Sequence, residues 1–221
     1  MNAMILAAGR GERLRPLTDR LPKPLVEVGG KPLIAWQLEA LRRAGIDSVA
    51  INTSWLAERL VDALGDGRNY GLEIRYSHEP EALETAGGIV QALPLLEDPF
   101  IVVNGDVFCD VDLDTLRLSP EDDAQLLLVP NPSHHPQGDF AIENGRLSNA
   151  GADRHTFSGI GLYRKRLFTG LPPGRRPLAP VLREAADADR VAAHLYSGYW
   201  CDVGTPQRLA RLRRRLPSNK Q

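Results

Sequence analysis

A chain of 221 residues that is 43% hydrophobic and 25% charged has the mass and apolar content for one sizeable core, so a single domain spanning 1–221 is expected. Its 27 Lys and Arg against 28 Asp and Glu leave a net charge of −1, which excludes the global positive field of a nucleic-acid or anionic-membrane binder; any positive charge that matters is local. Two cysteines, Cys109 and Cys201, are too few for a disulfide framework. No basic leader opens the chain and no apolar stretch approaches the roughly 18 residues of a membrane span, so a cytoplasmic monomer without membrane or nucleic-acid partners is expected.

The first element, Met4 to Ala8, is an apolar run of buried-strand length that stops at Gly9, Arg10, Gly11, Glu12 and Arg13. Glycines admit positive φ and let backbone N–H groups surround an anion, while Arg10, Arg13 and Arg15 add positive charge, so the loop reads as a phosphate site. Lys23 follows between Pro22 and Pro24, which stiffen the backbone around one point charge. Two familiar glycine loops are excluded. A dinucleotide fingerprint needs a third glycine where Leu14 stands, and the only Gly-Lys pair, Gly30-Lys31, is followed by Pro32 rather than Ser or Thr.

Next, Pro32 followed by Ile34, Leu38 and Leu41 on one face, with Gly45 past the end, predicts an amphipathic helix. Ser48 to Asn52 predicts a strand, Trp55 to Leu64 a helix stopped by Gly65, Leu72 to Tyr76 a strand, Gly87 to Leu93 a helix and Phe100 to Asn104 an apolar strand. That alternation implies a parallel sheet, which binds ligands at the carboxyl ends of its strands. The second half is less regular: Gln125 to Val129, Asp139 to Ile142, Phe157 to Tyr163 and Val191 to Tyr196 predict strands, Leu178 to Ala188 a helix, and Asn131 to Gly138 an exposed loop. A mixed sheet is expected there. Arg208 to Arg215 reads as a basic helix presenting a solvated face.

Carboxylates stand where such a sheet would use them. Asp106, in Asn104-Gly105-Asp106, follows a predicted central strand, and Asp202, in Trp200-Cys201-Asp202-Val203-Gly204, precedes a helix capped by Thr205 with Pro206 in its first turn. On residue chemistry alone, each is a cap or turn residue or a ligand for a hard cation. Asp110, Asp112 and Asp114 read as turn and surface residues. Thr85-Ala86-Gly87-Gly88 opens a helix after a strand, a turn at which backbone can approach a base, sugar or phosphate, with Glu81 a further candidate nearby. His134 and His135 lack the company of a zinc site and read as loop residues, whereas Gly138 and Asp139 open a strand at a site rim where Asp139 can accept hydroxyl or amide hydrogen bonds.

Taken together, Gly9, Gly11, Arg13, Leu14, Pro16, Leu17 and Thr18, then Pro22, Lys23, Pro24 and Leu25, closely resemble the signature of the sugar-1-phosphate nucleotidyltransferases. The resemblance covers nearly the whole chain. It implies an α/β, Rossmann-like nucleotidyltransferase fold, with a mixed, mostly parallel central sheet flanked by helices, a nucleotide half over about 1–110 and a sugar-phosphate half over about 111–221. It implies Arg13, Lys23, Asp106 and Asp202 as catalytic residues, the two aspartates holding Mg²⁺. Nucleotide contacts would come from Leu6, Ala7, Ala8, Gly9, Gly11, Glu12, Arg13 and Lys23, and from Thr85, Gly87, Gly88 and Asn104. Sugar-phosphate contacts would come from Gly138, Asp139, Glu143 and Asp202.

The order N-G-D-V, H-H-P-x-G-D-F, T-F-S-G-I and Y-W-x-D-V-G-T resembles most the members that join UTP to N-acetylmuramate 1-phosphate in cell-wall recycling; members joining GTP to mannose 1-phosphate are the nearest rival. The implied reaction needs no covalent intermediate and no general base, since a sugar 1-phosphate is already ionised and can attack the α-phosphorus in line. A nucleotide-sugar-binding regulatory subunit on the same fold would be expected to lose Arg13, Lys23, Asp106 or Asp202, and all four are present.

Overall fold

The computed structural model describes residues 1–216. Strand β1 (Asn2–Leu6) leads into the first loop, and a short ribbon of β2 (Glu27–Val28) and β3 (Lys31–Pro32) precedes helix α1 (Leu33–Arg43). The alternation predicted from periodicity then follows as β4 (Ser48–Thr53), α2 (Ala57–Leu64), β5 (Glu73–His78), α3 (Glu84–Ala92) and β6 (Phe100–Asn104). Beyond the short β7 (Val107–Cys109) come β8 (Ala124–Val129), β9 (Phe140–Glu143), β10 (Arg146–Ser148) and the long β11 (Arg154–Tyr163). Helix α4 (Leu178–Asp187), β12 (Val191–Leu195), β13 (Trp200–Asp202) and α5 (Pro206–Arg215) complete the order.

One nine-stranded sheet runs through both halves in the order β5-β4-β1-β6-β11-β8-β12-β10-β9. The first four strands are mutually parallel, and β11 enters antiparallel between β6 and β8, so the sheet is mixed in the second half, as expected. Alternation of side chains along each strand sorts the core into two layers. Ala3 and Ile5 of β1 pack with Ile34, Leu38 and Leu41 of α1 and Leu60 and Leu64 of α2, while Met4 packs on the other face with Ile89 of α3 and Leu182 of α4.

A third cluster joins the chain's two ends. Leu209 and Leu212 of α5 pack with Leu14, Val26, Val28 and Val203, so the last helix lies against the base of the first loop. Its start follows the predicted cap, the Thr205 hydroxyl accepting the Arg208 N–H at 3.3 Å with Pro206 at the first helical position. Arg211, Arg213, Arg214 and Arg215 are exposed, as expected of a solvated face, but Arg208 at the start of the same run departs from that expectation, its side chain 14% exposed and paired with Asp202. The pairing of β7 with β13 was not foreseen: Val107 lies opposite Asp202 and Phe108 opposite Cys201 in a separate two-stranded antiparallel sheet.

Candidate active site

The first loop opens at the carboxyl end of β1 and is held from several sides. The Ala7 N–H donates to Asn52 Oδ1 at 2.6 Å, and the Thr18 hydroxyl donates to the Gly11 carbonyl at 2.8 Å. Gly11 sits at φ 69°, and a Cβ there would lie 3.0 Å from Thr18 Cγ2 and 3.2 Å from Lys23 Cβ, so glycine lets the loop fold back on the lysine segment. Gly9 differs: nothing lies within 4 Å of a Cβ built on it, so its backbone faces open space.

The three arginines expected to serve this loop part company. Arg13 lines the cleft, but the Arg10 guanidinium stacks 4.2 Å from the centre of the Trp55 ring and Arg15 pairs with Asp19 at 2.8 Å. Lys23 is buried, and its ammonium meets Asp106 Oδ2 at 2.5 Å.

Asp106 lies in the turn between β6 and β7, and Asp202 ends β13. One backbone hydrogen bond ties their segments together, from the Val203 N–H to the Asp106 carbonyl at 2.7 Å. The Asp202 carboxylate meets the Arg208 guanidinium at 3.1 Å and the His134 ring at 3.4 Å. Burial, and then the neighbouring Arg208 charge, hold the His134 imidazole below its ordinary pKa. No group of three metal-ligating side chains forms among the described residues. Two hard carboxylates that line one cavity, Asp106 and Asp202, nonetheless form a donor set that fits Mg²⁺, which takes one or two protein carboxylates and fills its octahedron with water and substrate phosphate.

The cleft itself has a volume of about 550 Å³, bounded on the loop side by Leu6, Ala7, Ala8, Gly9, Gly11 and Glu12. Arg13, Lys23, Thr85, Asn104 and Asp106 also line it. Two further cavities adjoin it. One of about 450 Å³ shares Thr85 and Asn104 and reaches Asp139; the other, of about 390 Å³, shares Arg13, Asn104 and Asp106 and reaches His134, His135, Asp139, Asp202 and Arg208. Asn104 borders all three. Gly159 makes room for it, since a Cβ there would fall 2.4 Å from Asn104 Nδ2.

Four expectations need correction. Gly87 and Gly88 line none of these cavities: a Cβ on Gly87 would lie 2.3 Å from the Gly174 carbonyl, and one on Gly88 would lie 2.6 Å from Glu79 Oε1. Both allow close packing beneath the site rather than close approach of a ligand. Two of the N-terminal amides of α3 are likewise engaged, because the Ala86 and Gly87 N–H groups donate to the Arg176 carbonyl at 3.0 and 3.1 Å. Glu81 is exposed, and the buried cleft residue is Glu79, which accepts from Asn52 Nδ2 at 2.7 Å and from the Leu83 N–H at 2.9 Å. Glu143, four residues or about 13 Å along β9 from Asp139, borders a separate surface depression with Arg146 and Asp189.

On the sugar side, Asp139 is a cleft residue with both oxygens engaged: Oδ1 meets the His135 ring at 3.1 Å and Oδ2 accepts the Phe157 N–H at 2.8 Å. Gly138, at φ 61°, shapes the turn before it, packed against Asn131 and His155. Asn52 and Glu79 escaped the sequence reading, although the rule that pointed to Asp106 applies to them, since they stand at the carboxyl ends of β4 and β5. Neither thiol lines these three cavities, and burial pushes Cys109 up to about 12 and raises Cys201 as well.

A glycine loop, a lysine and Asp106 at the carboxyl ends of parallel strands, with Asp202 brought beside them by the β7–β13 pair, make the cleft of an α/β enzyme that handles phosphate. The chain belongs to the nucleotidyl transferase family, whose profile matches residues 2–139, and it is a sugar-1-phosphate nucleotidyltransferase. It is 52% identical over 220 residues to N-acetylmuramate α-1-phosphate uridylyltransferase of Neisseria meningitidis serogroup B, covering 95% of both chains. It is 33% identical over 229 residues to the mannose-1-phosphate guanylyltransferase catalytic subunit β of Danio rerio, covering 94% of this chain and 62% of that one. The crystal structure of HddC from Yersinia pseudotuberculosis, at 23% identity, superposes with a TM-score of 0.80 over 97% of this chain and 98% of that one, and so shares the fold.

Proposed function

We propose that the chain, acting as one catalytic unit, joins UTP and N-acetylmuramate 1-phosphate to give UDP-N-acetylmuramate and pyrophosphate, a step of peptidoglycan recycling in the cytoplasm. The observation that carries the substrate choice is the 52% identity over 95% of both chains to an enzyme of that name, against 33% for the guanylyltransferase.

The chemistry asks for positioning and charge. An ionised oxygen of the sugar phosphate attacks the α-phosphorus of UTP in line and pyrophosphate leaves, so one P–O bond forms as one breaks and no side chain must act as nucleophile. Arg13 and Lys23, together with the loop amides about Gly9, meet the negative charge of the triphosphate and of the leaving group. Asp106 and Asp202 would hold Mg²⁺, which supplies further charge stabilisation when bound. The triphosphate lies along the first loop, and the sugar phosphate enters past Asp139, His134 and Asp202.

A panel of UTP, GTP, CTP, ATP and dTTP against sugar 1-phosphates, read by pyrophosphate release, tests this. UTP with N-acetylmuramate 1-phosphate is expected to turn over fastest, and a faster reaction of GTP with mannose 1-phosphate would overturn the choice of pair. Absence of turnover with every pair would return the chain to a regulatory role.

A further inference from the structure

The buried stripe of α1 runs Leu33, Ile34, Gln37, Leu38 and Leu41, and Gln37 is its one polar member, with a relative exposure of only 6%. A carboxamide in a core position needs partners, and its partners here are specific. Gln37 Nε2 lies 2.6 Å from the Asn104 carbonyl and 2.8 Å from the Val107 carbonyl. Both are pure acceptors, so the amide nitrogen must be the atom that faces them, and its two hydrogens satisfy one carbonyl each. These carbonyls are the two ends of the turn that carries Asp106.

Two further backbone groups of that turn are held by main chain. The Gly105 N–H donates to the Leu6 carbonyl at 2.8 Å, and the Asp106 carbonyl accepts from Val203 N–H at 2.7 Å. The turn is thus fixed from the first loop, from the Asp202 segment and from α1, and on the α1 side a single carboxamide makes both bonds. Gln37 also borders a cavity of about 220 Å³ walled chiefly by Trp36, Val103, Phe108, Leu113 and Ile160, and its buried Oε1 has no partner among the described residues. The only polar side chains on that wall besides Gln37 and Trp36 are Cys109, Arg43 and Asp110, and among the described residues none of them bonds the two carbonyls.

We propose that Gln37 is a positioning residue for the nucleotidyl transfer: by bridging the Asn104 and Val107 carbonyls it sets the height and tilt of the Asp106 turn against the first loop. The proposal rests on the reading of Asp106 as an essential carboxylate. Gln37→Met keeps the length of the side chain and removes both donors, so the turn is released on one side while its other tethers remain. Displacements of about 1 Å at a reacting centre lower rates by up to roughly 10²-fold, so kcat is expected to fall between about tenfold and a hundredfold, with the Mg²⁺ concentration for half-maximal rate rising.

Amide hydrogen exchange at Gly105 and Val203, read by NMR without substrate or metal, should speed up at least tenfold relative to amides elsewhere in the sheet. Leu41→Ala, on the same face of the same helix, is the stability control. It should lower Tm at least as far yet leave kcat within about threefold and the exchange at Gly105 unaltered relative to the rest of the sheet. Gln37→Met with wild-type kcat, or Leu41→Ala with an equal loss at matched fraction folded, overturns the proposal.

If Gln37→Met does not accumulate folded, Gln37→Glu, which sets an acceptor against both carbonyls, is read by the same assays and should be impaired at least as much. Failure of both to fold assigns Gln37 to stability alone and overturns the positioning role. Asp106→Asn is assayed alongside. A fully active Asp106→Asn enzyme overturns both readings, whereas an inactive one beside an unimpaired Gln37→Met enzyme overturns only the role given to Gln37.

Discussion

Replacing Lys23 with alanine should move two observables in opposite directions. Lys23 and Asp106 form an ion pair at 2.5 Å, with the lysine side chain 10% exposed and the aspartate 32% exposed. Unit charges about 3 Å apart attract by roughly 1.4 kcal/mol at the dielectric of water and by roughly 5 kcal/mol at an effective dielectric of 20. Asp106 keeps a third of its side-chain surface in water, and screening with lost side-chain freedom brings the net to about 1–2 kcal/mol. A divalent cation that takes Asp106 Oδ2 competes with this ammonium. Lys23→Ala removes the competitor and should therefore tighten cation binding by about 5- to 30-fold, the ratio that corresponds to about 1–2 kcal/mol.

In the proposed reaction the same substitution removes a charge that would meet the triphosphate, so turnover should fall by roughly 10²-fold or more. Titration of the nucleotide-free protein with Mn²⁺ by calorimetry gives the first quantity and pyrophosphate release gives the second, with thermal melts as the folding control. Cation binding that is unchanged or weaker in the variant refutes the competition. Turnover within twofold of wild type refutes the role of Lys23 at phosphate.

Gly9→Ala adds a methyl group where nothing lies within 4 Å, so Tm should hold while KM for UTP rises tenfold or more; an unchanged KM would move the triphosphate away from this backbone. On the proposal that the two serve one ion, Asp106→Asn and Asp202→Asn should each abolish most turnover while folding survives, and the double variant should lose little more than either single one; losses that multiply would assign them separate tasks. With Cys109 pushed up to about 12, the thiolate fraction at pH 8 is on the order of one in ten thousand, so iodoacetamide should label it slowly in the folded protein and far faster once denaturant is added; labelling of the folded protein as fast as that of the unfolded chain would contradict the raised pKa.

Features generated by neighbours along the chain were legible in the sequence. The 3.6-residue spacing of Ile34, Leu38 and Leu41 found α1, the β-branched run found β4, and Thr205 with Pro206 found the start of α5, because each signal lies within one turn or one strand. Features generated by distant pairing were not. Val107–Cys109 and Trp200–Asp202 are each three residues long and become strands only by meeting each other, so no local periodicity announces them. Periodicity also marked α1 as amphipathic without showing that Gln37, within its apolar stripe, faces carbonyls 67 and 70 residues away.

The same distinction governs the site. Arg10, Arg13 and Arg15 are equivalent as letters in a basic loop, and what separates them is the company each finds: a Trp55 ring for Arg10, the cleft for Arg13 and Asp19 for Arg15. The glycine pair Gly87-Gly88 signals close approach correctly, but the approaching groups are the Gly174 carbonyl and the Glu79 carboxylate rather than a ligand, and a sequence pattern does not distinguish the two. Asp106 and Asp202 lie 96 residues apart in the chain, yet the Val203 N–H bond to the Asp106 carbonyl brings their segments together. That bond exists because β13 pairs with β7 and because Leu209 and Leu212 bury themselves against the base of the first loop. The apolar face of the last helix therefore belongs to the same machinery as the glycine loop: it is the packing that delivers Asp202 and Arg208 to a cleft begun 200 residues earlier.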